Sequence, residues 1–200
     1  GGRKNTGTGE NGSVNPDFFP GLVVPEGETI SMVGRDIEIK GTYYLNKDPE
    51  DENATYNVPV GSNLNAPEGR VNLAAPGPGE VEISDSGLDI SAGESGNITL
   101  SHAARITVNG PGDERNRAGA GSVFIRGGRF VMDGSAEILS EPGHENGQII
   151  DIQAEHVSLE DNSQIIASTF GKGNGTDIQI TAWEDVMITD GKIRNSSFYE

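Results

Sequence analysis

A repeat with a period of about 27 to 29 residues near the end of the chain constrains its fold more than any other feature. Residues 130–138 (FVMDGSAEI) correspond to residues 157–165 (VSLEDNSQI), 27 positions later. The next copy begins at Val186, 29 positions after Val157, and its Ile193 follows Ile165 by 28. A period in this range indicates a repeat architecture in which each unit is stable only when it packs on its neighbours.

The apolar residues within each copy alternate with other residues, as at Val123 and Ile125 and at Ile150 and Ile152. Period-two alternation predicts β-strands, and Gly, Asn, Asp and Ser between the short segments predict tight turns. A propeller blade usually needs about 40 residues or more, so the shorter period favours a coil of parallel strands. The sequence therefore predicts an all-β fold, a parallel β-helix with about 25 to 29 residues per coil.

The repeat also predicts how the chain is organised. Residues 1–21 read as an irregular lead, residues 22–120 as irregular coils with insertions at 43–63 and 110–120, and residues 121–200 as regular repeats. The same alternation at 81–83 and 88–90 predicts further coil strands. Gly96, Gly121 and Gly147 follow one another at nearly equal spacing, which predicts that all three begin coils in the same phase.

Composition bounds the possible partners. The net charge of −17 argues against electrostatic binding to nucleic acid or to an anionic membrane. No apolar run approaches the roughly 20 residues of a membrane-spanning helix. Acidic corners leave calcium binding open, although no calcium-binding motif is present.

The absence of cysteine excludes disulfides and thiolate metal sites and is compatible with export of an unfolded bacterial chain. No signal peptide is evident, and we expect both ends to be cut from a longer protein.

Carboxylates at equivalent repeat positions are the main candidates for chemistry. Asp133 and Glu160 correspond to each other in successive copies, while Asp161 and Asp190 lie at successive corners. Stacked acids of this kind could bind a cation or act as acid and base in glycoside cleavage. The alternative is that Asp side chains cap their own turns, and Thr189 interrupts the acidic row after Glu160. Turn formation is the interpretation we adopt, so no catalytic residue is predicted.

Other polar groups give no site. His102, His144 and His156 are expected in a strand, a loop and a corner, without metal-ligand spacing, so neither a metal nor a cofactor is predicted. The glycine-rich segments 127–128 and 171–175 are expected to form corners rather than phosphate loops. Asn residues at corners are expected to stack along the repeat. The insertion carries three tyrosines that could bind sugars or proteins or cover the coils, namely Tyr43, Tyr44 and Tyr56.

Three segments resemble a known family. They are residues 121–135 (GSVFIRGGRFVMDGS), 64–74 (LNAPEGRVNLA) and 165–175 (IIASTFGKGNG), and the chain from Leu22 onward resembles the filamentous-haemagglutinin-like exoproteins of Gram-negative bacteria and cyanobacteria. The resemblance implies a right-handed β-helix, export by two-partner secretion through an outer-membrane pore, and a surface role in adhesion, aggregation or biofilm. The Asn-Pro-Asn secretion motifs of that family have only a poor counterpart at 14–17 (VNPD).

The expected function is therefore a non-enzymatic segment of a secreted bacterial adhesin, located at the cell surface, that forms a rigid shaft and displays loops. Its expected receptor is a glycan or a protein. The alternatives are a carbohydrate-active β-helix, acting as a polysaccharide lyase or hydrolase, and a structural module of an extracellular filament. A groove lined by several charged side chains would favour the enzyme, and end-to-end or lateral self-association would favour the filament.

Overall fold

The computed structural model describes residues 21–47, 55–59, 63–84, 87–90, 95–112 and 117–198. Within these ranges all regular structure is strand, and no helix occurs. The strands, numbered in chain order, are β1 (Leu22–Val23), β2 (Thr29–Val33), β3 (Ile37–Lys40), β4 (Tyr43–Lys47), β5 (Thr55–Pro59), β6 (Leu64–Asn65), β7 (Arg70–Ala74), β8 (Val81–Ser84), β9 (Gly87–Ile90), β10 (Asn97–Ser101), β11 (Arg105–Thr107), β12 (Ser122–Met132), β13 (Glu137–Leu139), β14 (Ile149–Glu160), β15 (Gln164–Ile166), β16 (Asp177–Thr189) and β17 (Lys192–Arg194).

Two parallel sheets contain most of the strands. Short strands form the first, in the order β1-β6-β11-β13-β15-β17. The second follows the order β16-β14-β12-β10-β3, with β7 also pairing to β12 and β2 pairing to β7. From β10 onward, strands of the second and first sheets alternate along the chain, whereas earlier β2 and β3, and β7 and β10, are successive passages through the second sheet. The all-β prediction is confirmed, and the two large sheets are entirely parallel.

The spacing of the repeat is confirmed as strand register. Phe130 lies opposite Val157 and Ile138 opposite Ile165, as the repeat predicts. Val157 in turn pairs with Val186. Every such pair places like apolar residues side by side, and a slip of one residue would turn each of them to the opposite face.

The prediction that Gly96 begins a coil at the same position as Gly121 and Gly147 is wrong. The amide of Gly128, rather than any group of Gly121, donates to the Gly96 carbonyl at 2.8 Å, and Gly121 lies beside Gly69. The reason is that the first passages through the second sheet are split in two. On one edge of β12, its first half pairs with β7 and its second half with β10. Residues inserted between β7 and β10 shift the sequence spacing without shifting the register.

Two antiparallel hairpins lie outside the parallel sheets. The pair β4–β5 falls within the segment 43–63 that the sequence marks as an insertion. The pair β8–β9 joins Val81–Ser84 to Gly87–Ile90. The prediction that 81–83 and 88–90 are coil strands is therefore wrong, because alternation alone does not distinguish a parallel strand from half of a hairpin.

Buried aliphatic rows form the main core. In one row, Val71, Val123 and Ile150 are fully buried in successive register, and Ile178 on the outermost strand is partly buried. Parallel rows are formed by Leu73, Ile125, Ile152 and Ile180, by Ile98, Phe130, Val157 and Val186, and by Leu64, Ile106, Ile138, Ile165 and Ile193. Their last members differ in burial, because Ile180 is partly buried whereas Val186 and Ile193 are exposed. Burial of one large aliphatic side chain contributes about 1.5–3 kcal/mol.

Tight turns of one type connect the two sheets. In the turn 133–136, Ala136 donates its amide to the Asp133 carbonyl at 3.0 Å, and both central residues, Gly134 and Ser135, have positive φ. The same bond and the same φ pattern recur at 101–104 and at 160–163. Positive φ at both central positions is the type I′ pattern, which favours Gly, Asn and Asp. This requirement explains Gly134 in the first of these turns and the Asp161-Asn162 pair in the last.

The glycine pair at 127–128 is not a corner. Both residues lie inside β12, and a Cβ added at Gly128 would stand 2.5 Å from the Ser95 carbonyl oxygen. Glycine is needed here because the neighbouring backbone passes too close for a side chain. The glycines at 171–175 do lie in a loop, between β15 and β16, as expected.

Candidate functional site

The candidate carboxylates occupy turn positions. Asp133 and Glu160 begin two of the type I′ turns, and Asp161 is a central residue of the second with φ 47°. Asp190, with φ 57°, forms an antiparallel bridge with Glu160. Positive φ accounts for Asp at 161 and 190, whereas Asp133 and Glu160 precede the two central residues of their turns. Among the described residues, no group of three or more His, Cys, Asp or Glu side chains is arranged to hold a metal ion.

The histidines do not lie where the sequence suggests. His102 is in a turn rather than a strand, with φ 56° and its Nδ1 3.0 Å from Ser101 Oγ. His156 is in strand β14 rather than at a corner, with its Nδ1 3.0 Å from Asp185 Oδ2 on the neighbouring strand. His144 is exposed in a loop, as expected. The three residues remain in separate environments.

Tyr43 covers a turn of the repeat. Its hydroxyl donates to the carbonyl of Gly134, a central residue of the turn 133–136. This contact ties hairpin β4–β5 to a turn 91 residues further along the chain. The side chains of Tyr44 and Tyr56 lie outside the described residues.

The outer face of the second sheet carries a cluster that the sequence analysis does not single out. We define the outer-face cluster as Arg70, Phe124, Arg126, Asp151 and the hairpin residue Leu88. Phe124 and Arg126 alternate with Val123 and Ile125, so they leave the sheet on the side opposite the main core. Phe124 and Leu88 nevertheless have exposed fractions of only 4% and 0%. A second core therefore lies on the outside of this sheet.

Hairpin β8–β9 forms the cover of the outer-face cluster. Leu88 packs with Phe124 and Ala74, and Val81 and Ile90 extend the apolar contact from the hairpin side. Arg70 donates through Nη1 to the carbonyl of Ser84 at the end of β8. The hairpin is thus held by apolar packing in its middle and by a charge-assisted hydrogen bond at its turn end.

Two guanidinium groups lie over the Phe124 ring. Their Cζ atoms are 4.6 Å (Arg70) and 5.8 Å (Arg126) from the ring centroid, within the range of cation–π attraction. The Arg126 guanidinium also pairs with Asp151, with Nη2 2.5 Å from Oδ2 and Nη1 2.9 Å from the Asp151 carbonyl. Only 5% and 11% of the two side chains are exposed.

A buried pair of this kind adds little net stability, since desolvation of the two charges offsets most of their attraction. The hairpin itself is held by the packing of Leu88 and by the hydrogen bond from Arg70. On this face of the sheet, two buried polar atoms, Asn72 Oδ1 and Arg126 Nε, have no hydrogen-bond partner among the described residues. Together with Leu88 and Arg70, the arrangement holds hairpin β8–β9 against the outer side of the second sheet.

A sequence signal for the outer-face cluster exists at 122–126 (SVFIR). Three apolar residues in succession break the alternation of a strand with one buried face, so Phe124 must be exposed or covered by another segment. What covers it depends on the path of the hairpin, which the local pattern does not contain.

Asn and Asp side chains continue the hydrogen bonding between neighbouring strands into the loops that follow or precede them. The Oδ1 atom of Asn63 accepts from the Arg105 amide at 2.8 Å, and Asn109 Oδ1 accepts from the Glu141 amide at 2.6 Å. The same relation joins Asp36 to Asn97 and Asn146 to Asn174, at 3.0 and 2.9 Å. In each case the donor and acceptor residues lie opposite each other where the register of two neighbouring strands continues into the loops. Of these four pairs only 146–174 joins Asn to Asn, so a continuous row of stacked Asn residues is not seen among them.

No family model, curated protein or solved structure matches the chain. Within the described ranges, no helix has the length and apolar character needed to cross a membrane.

Proposed function

We propose that the chain winds as a right-handed parallel β-helix and forms part of the shaft of a secreted bacterial surface adhesin. The observation that supports the proposal is the repeated return of the chain to the same two parallel sheets, with in-register pairing along the first sheet from β1 to β17. A parallel crossover within one sheet is right-handed in about 98% of cases, which gives the proposed hand. The filamentous-haemagglutinin-like resemblance of the sequence supplies the class of adhesin.

Mechanical stiffness follows from this arrangement. Each long strand is hydrogen-bonded along its length to the next, as between β12 and β14, whose register runs from Val123 to Met132. A pull along the stacking direction loads these bonds together, while the aliphatic rows resist slippage. An ion pair between register partners, Arg105 Nη2 and Glu137 Oε2 at 2.6 Å, adds a further link.

The proposed recognition elements are the segments that leave the stack. Hairpin β8–β9 is docked rigidly on the outer face, so its exposed residues keep a fixed position relative to the shaft. Ile83, for example, is 46% exposed. Such a surface suits a glycan or protein on a neighbouring or host cell. Export would use an outer-membrane pore of the two-partner type, which a chain without cysteine can traverse unfolded.

Bead-binding measurements test the adhesive function. Beads coated with the purified chain should retain bacterial or epithelial cells more strongly than beads coated with a variant in which residues 81–90 are replaced by a short Gly-Ser turn. A variant with residues 111–118 replaced in the same way serves as the matched control. Equal retention by coated and uncoated beads would reject adhesion by this segment. Loss of retention only in the control would assign recognition to the second loop rather than the hairpin.

A further inference from the structure

Three Asn-Gly pairs in the described residues differ in how their atoms are held. They are 109–110, 146–147 and 174–175. In an Asn-Gly pair the glycine amide nitrogen can attack the asparagine side-chain carbonyl carbon, because glycine has no Cβ to hinder the approach. The reaction requires that this nitrogen and the side chain are both free to meet.

In the 109–110 pair, the asparagine side-chain amide and the glycine N–H are all hydrogen-bonded. Asn109 Oδ1 accepts from the Glu141 amide at 2.6 Å and its Nδ2 donates to Glu141 Oε2 at 3.2 Å. The attacking amide, that of Gly110, donates to the Gly119 carbonyl at 2.9 Å. The folded chain therefore protects this pair.

Asn146 is exposed, but its glycine is held. The Gly147 amide donates to the Asn174 carbonyl at 2.9 Å, and Asn146 Oδ1 accepts from the Asn174 amide at 2.9 Å. The nitrogen that would attack is directed away from its own side chain by a bond to the neighbouring loop.

Asn174 is exposed in the loop between β15 and β16. Within the described part of the chain, neither its side-chain amide nor the Gly175 N–H has a hydrogen-bond partner. The Asn174 carbonyl accepts from Gly147, and a donor at a peptide oxygen makes the N–H of the same peptide unit more acidic. One hydrogen bond thus restrains the attacking group of one pair and activates that of the other.

We propose that Asn174 is a site of spontaneous deamidation in the folded protein. Gly175 N–H gives its proton to solvent base and the nitrogen forms a bond to Asn174 Cγ. The bond from Cγ to the side-chain nitrogen breaks, and ammonia leaves after taking up a proton. Water then opens the resulting succinimide at either carbonyl, giving aspartate or isoaspartate. Water is the only co-reactant, and no electron transfer is involved.

The isoaspartate product would alter the contact between two adjacent loops. It routes the main chain through the side-chain carbon, which lengthens the backbone by one methylene at residue 174. Two bonds meet at this residue, from Asn174 N to Asn146 Oδ1 and from Gly147 N to Asn174 O. Both depend on the original spacing, so the product should weaken the loop contact next to β14 and β16.

Peptide mapping by mass spectrometry tests the proposal. The full chain is incubated at mildly alkaline pH, once folded and once in concentrated urea, and each Asn-Gly peptide is followed for conversion of amide to acid. In the folded chain, Asn174 should convert at least about fivefold faster than Asn109 or Asn146, the factor that one ordinary hydrogen bond supplies. In urea the three rates should converge.

A Gly175→Ala variant separates the cyclic route from direct hydrolysis. A Cβ at this position would come no closer than 3.4 Å to Asn195 Oδ1, so the fold should accept it. The variant should convert several-fold more slowly at residue 174. Equal rates at the three asparagines in the folded chain, faster conversion at Asn146, or an unchanged rate in Gly175→Ala would each overturn the proposal.

Discussion

Arg126 and Asp151 lie on neighbouring strands and form a nearly buried ion pair beneath a hairpin, with Nη2 and Oδ2 2.5 Å apart. Removing one partner would leave an unpaired buried charge. We expect Asp151→Ala to lower the free energy of unfolding by about 3 kcal/mol in urea titrations. Replacing the pair together, as Arg126→Met with Asp151→Leu, should recover most of that loss.

The exposed pair formed by Lys40 and Glu38 provides the control for this prediction. Its atoms are 2.8 Å apart, but more than half of each side chain is exposed. Glu38→Ala should change the free energy of unfolding by less than about 1 kcal/mol. Equal losses for Asp151→Ala and Glu38→Ala would show that the buried position of the first pair is wrong.

A substitution at Gly128 tests how closely β12 passes the backbone at Ser95. Gly128→Ala would place a Cβ 2.5 Å from a main-chain oxygen and should cost about 1–3 kcal/mol in unfolding free energy. Gly87 lies in hairpin β8–β9, where an added Cβ would meet nothing within 4 Å. Gly87→Ala should therefore be neutral or stabilising by about 0.5 kcal/mol. If thermal melting ranks the two variants in the opposite order, β12 does not pass beside Ser95.

Ile152 tests the aliphatic rows. This residue is fully buried, so Ile152→Ala should cost about 2–5 kcal/mol, measured by chemical denaturation. Ile188 belongs to an equivalent row but is 49% exposed on β16. Ile188→Ala should cost less than half as much. Similar costs at the two positions would contradict the assignment of Ile152 to the interior.

Substitutions at Asn63 test whether a side-chain oxygen continues the hydrogen bonding between neighbouring strands. Asn63→Ala removes the acceptor for the Arg105 amide and should cost about 1 kcal/mol, with faster hydrogen exchange at that amide. Asn63→Asp keeps the acceptor oxygen and should keep most of the protection of the Arg105 amide. If both variants expose this amide equally, the Oδ1 contact does not hold it.

The aliphatic rows were the most predictable part of the fold. Phe130 and Val157, or Ile138 and Ile165, are related by a constant spacing because nothing is inserted between successive strand levels there. Upstream the spacing fails as a guide. Val71 and Val123 are register partners although they are separated by almost twice the repeat length, because hairpin β8–β9 and the loop around 110–120 both lie between them.

The outer-face cluster was not predictable in the same way. Phe124 signals that something covers the outer side of β12, but the identity of the cover depends on tertiary contact with Leu88. The predicted position of His102 was wrong for a related reason. His102 continues the alternation of β10, and only the positive φ of the turn, which a local pattern does not encode, takes it out of the strand.

Disulfide formation between engineered cysteines tests the stacking of the chain most directly, because the natural sequence has no cysteine. Arg129, His156 and Asp185 occupy one register row on β12, β14 and β16. Adjacent strands are about 4.8 Å apart, within the Cα range of a disulfide, whereas alternate strands are about 10 Å apart and beyond it. The doubles Arg129→Cys with His156→Cys and His156→Cys with Asp185→Cys should oxidise readily, and Arg129→Cys with Asp185→Cys should not. Ready oxidation of the third double, or failure of both adjacent pairs, would contradict the parallel stacking on which the proposed shaft depends.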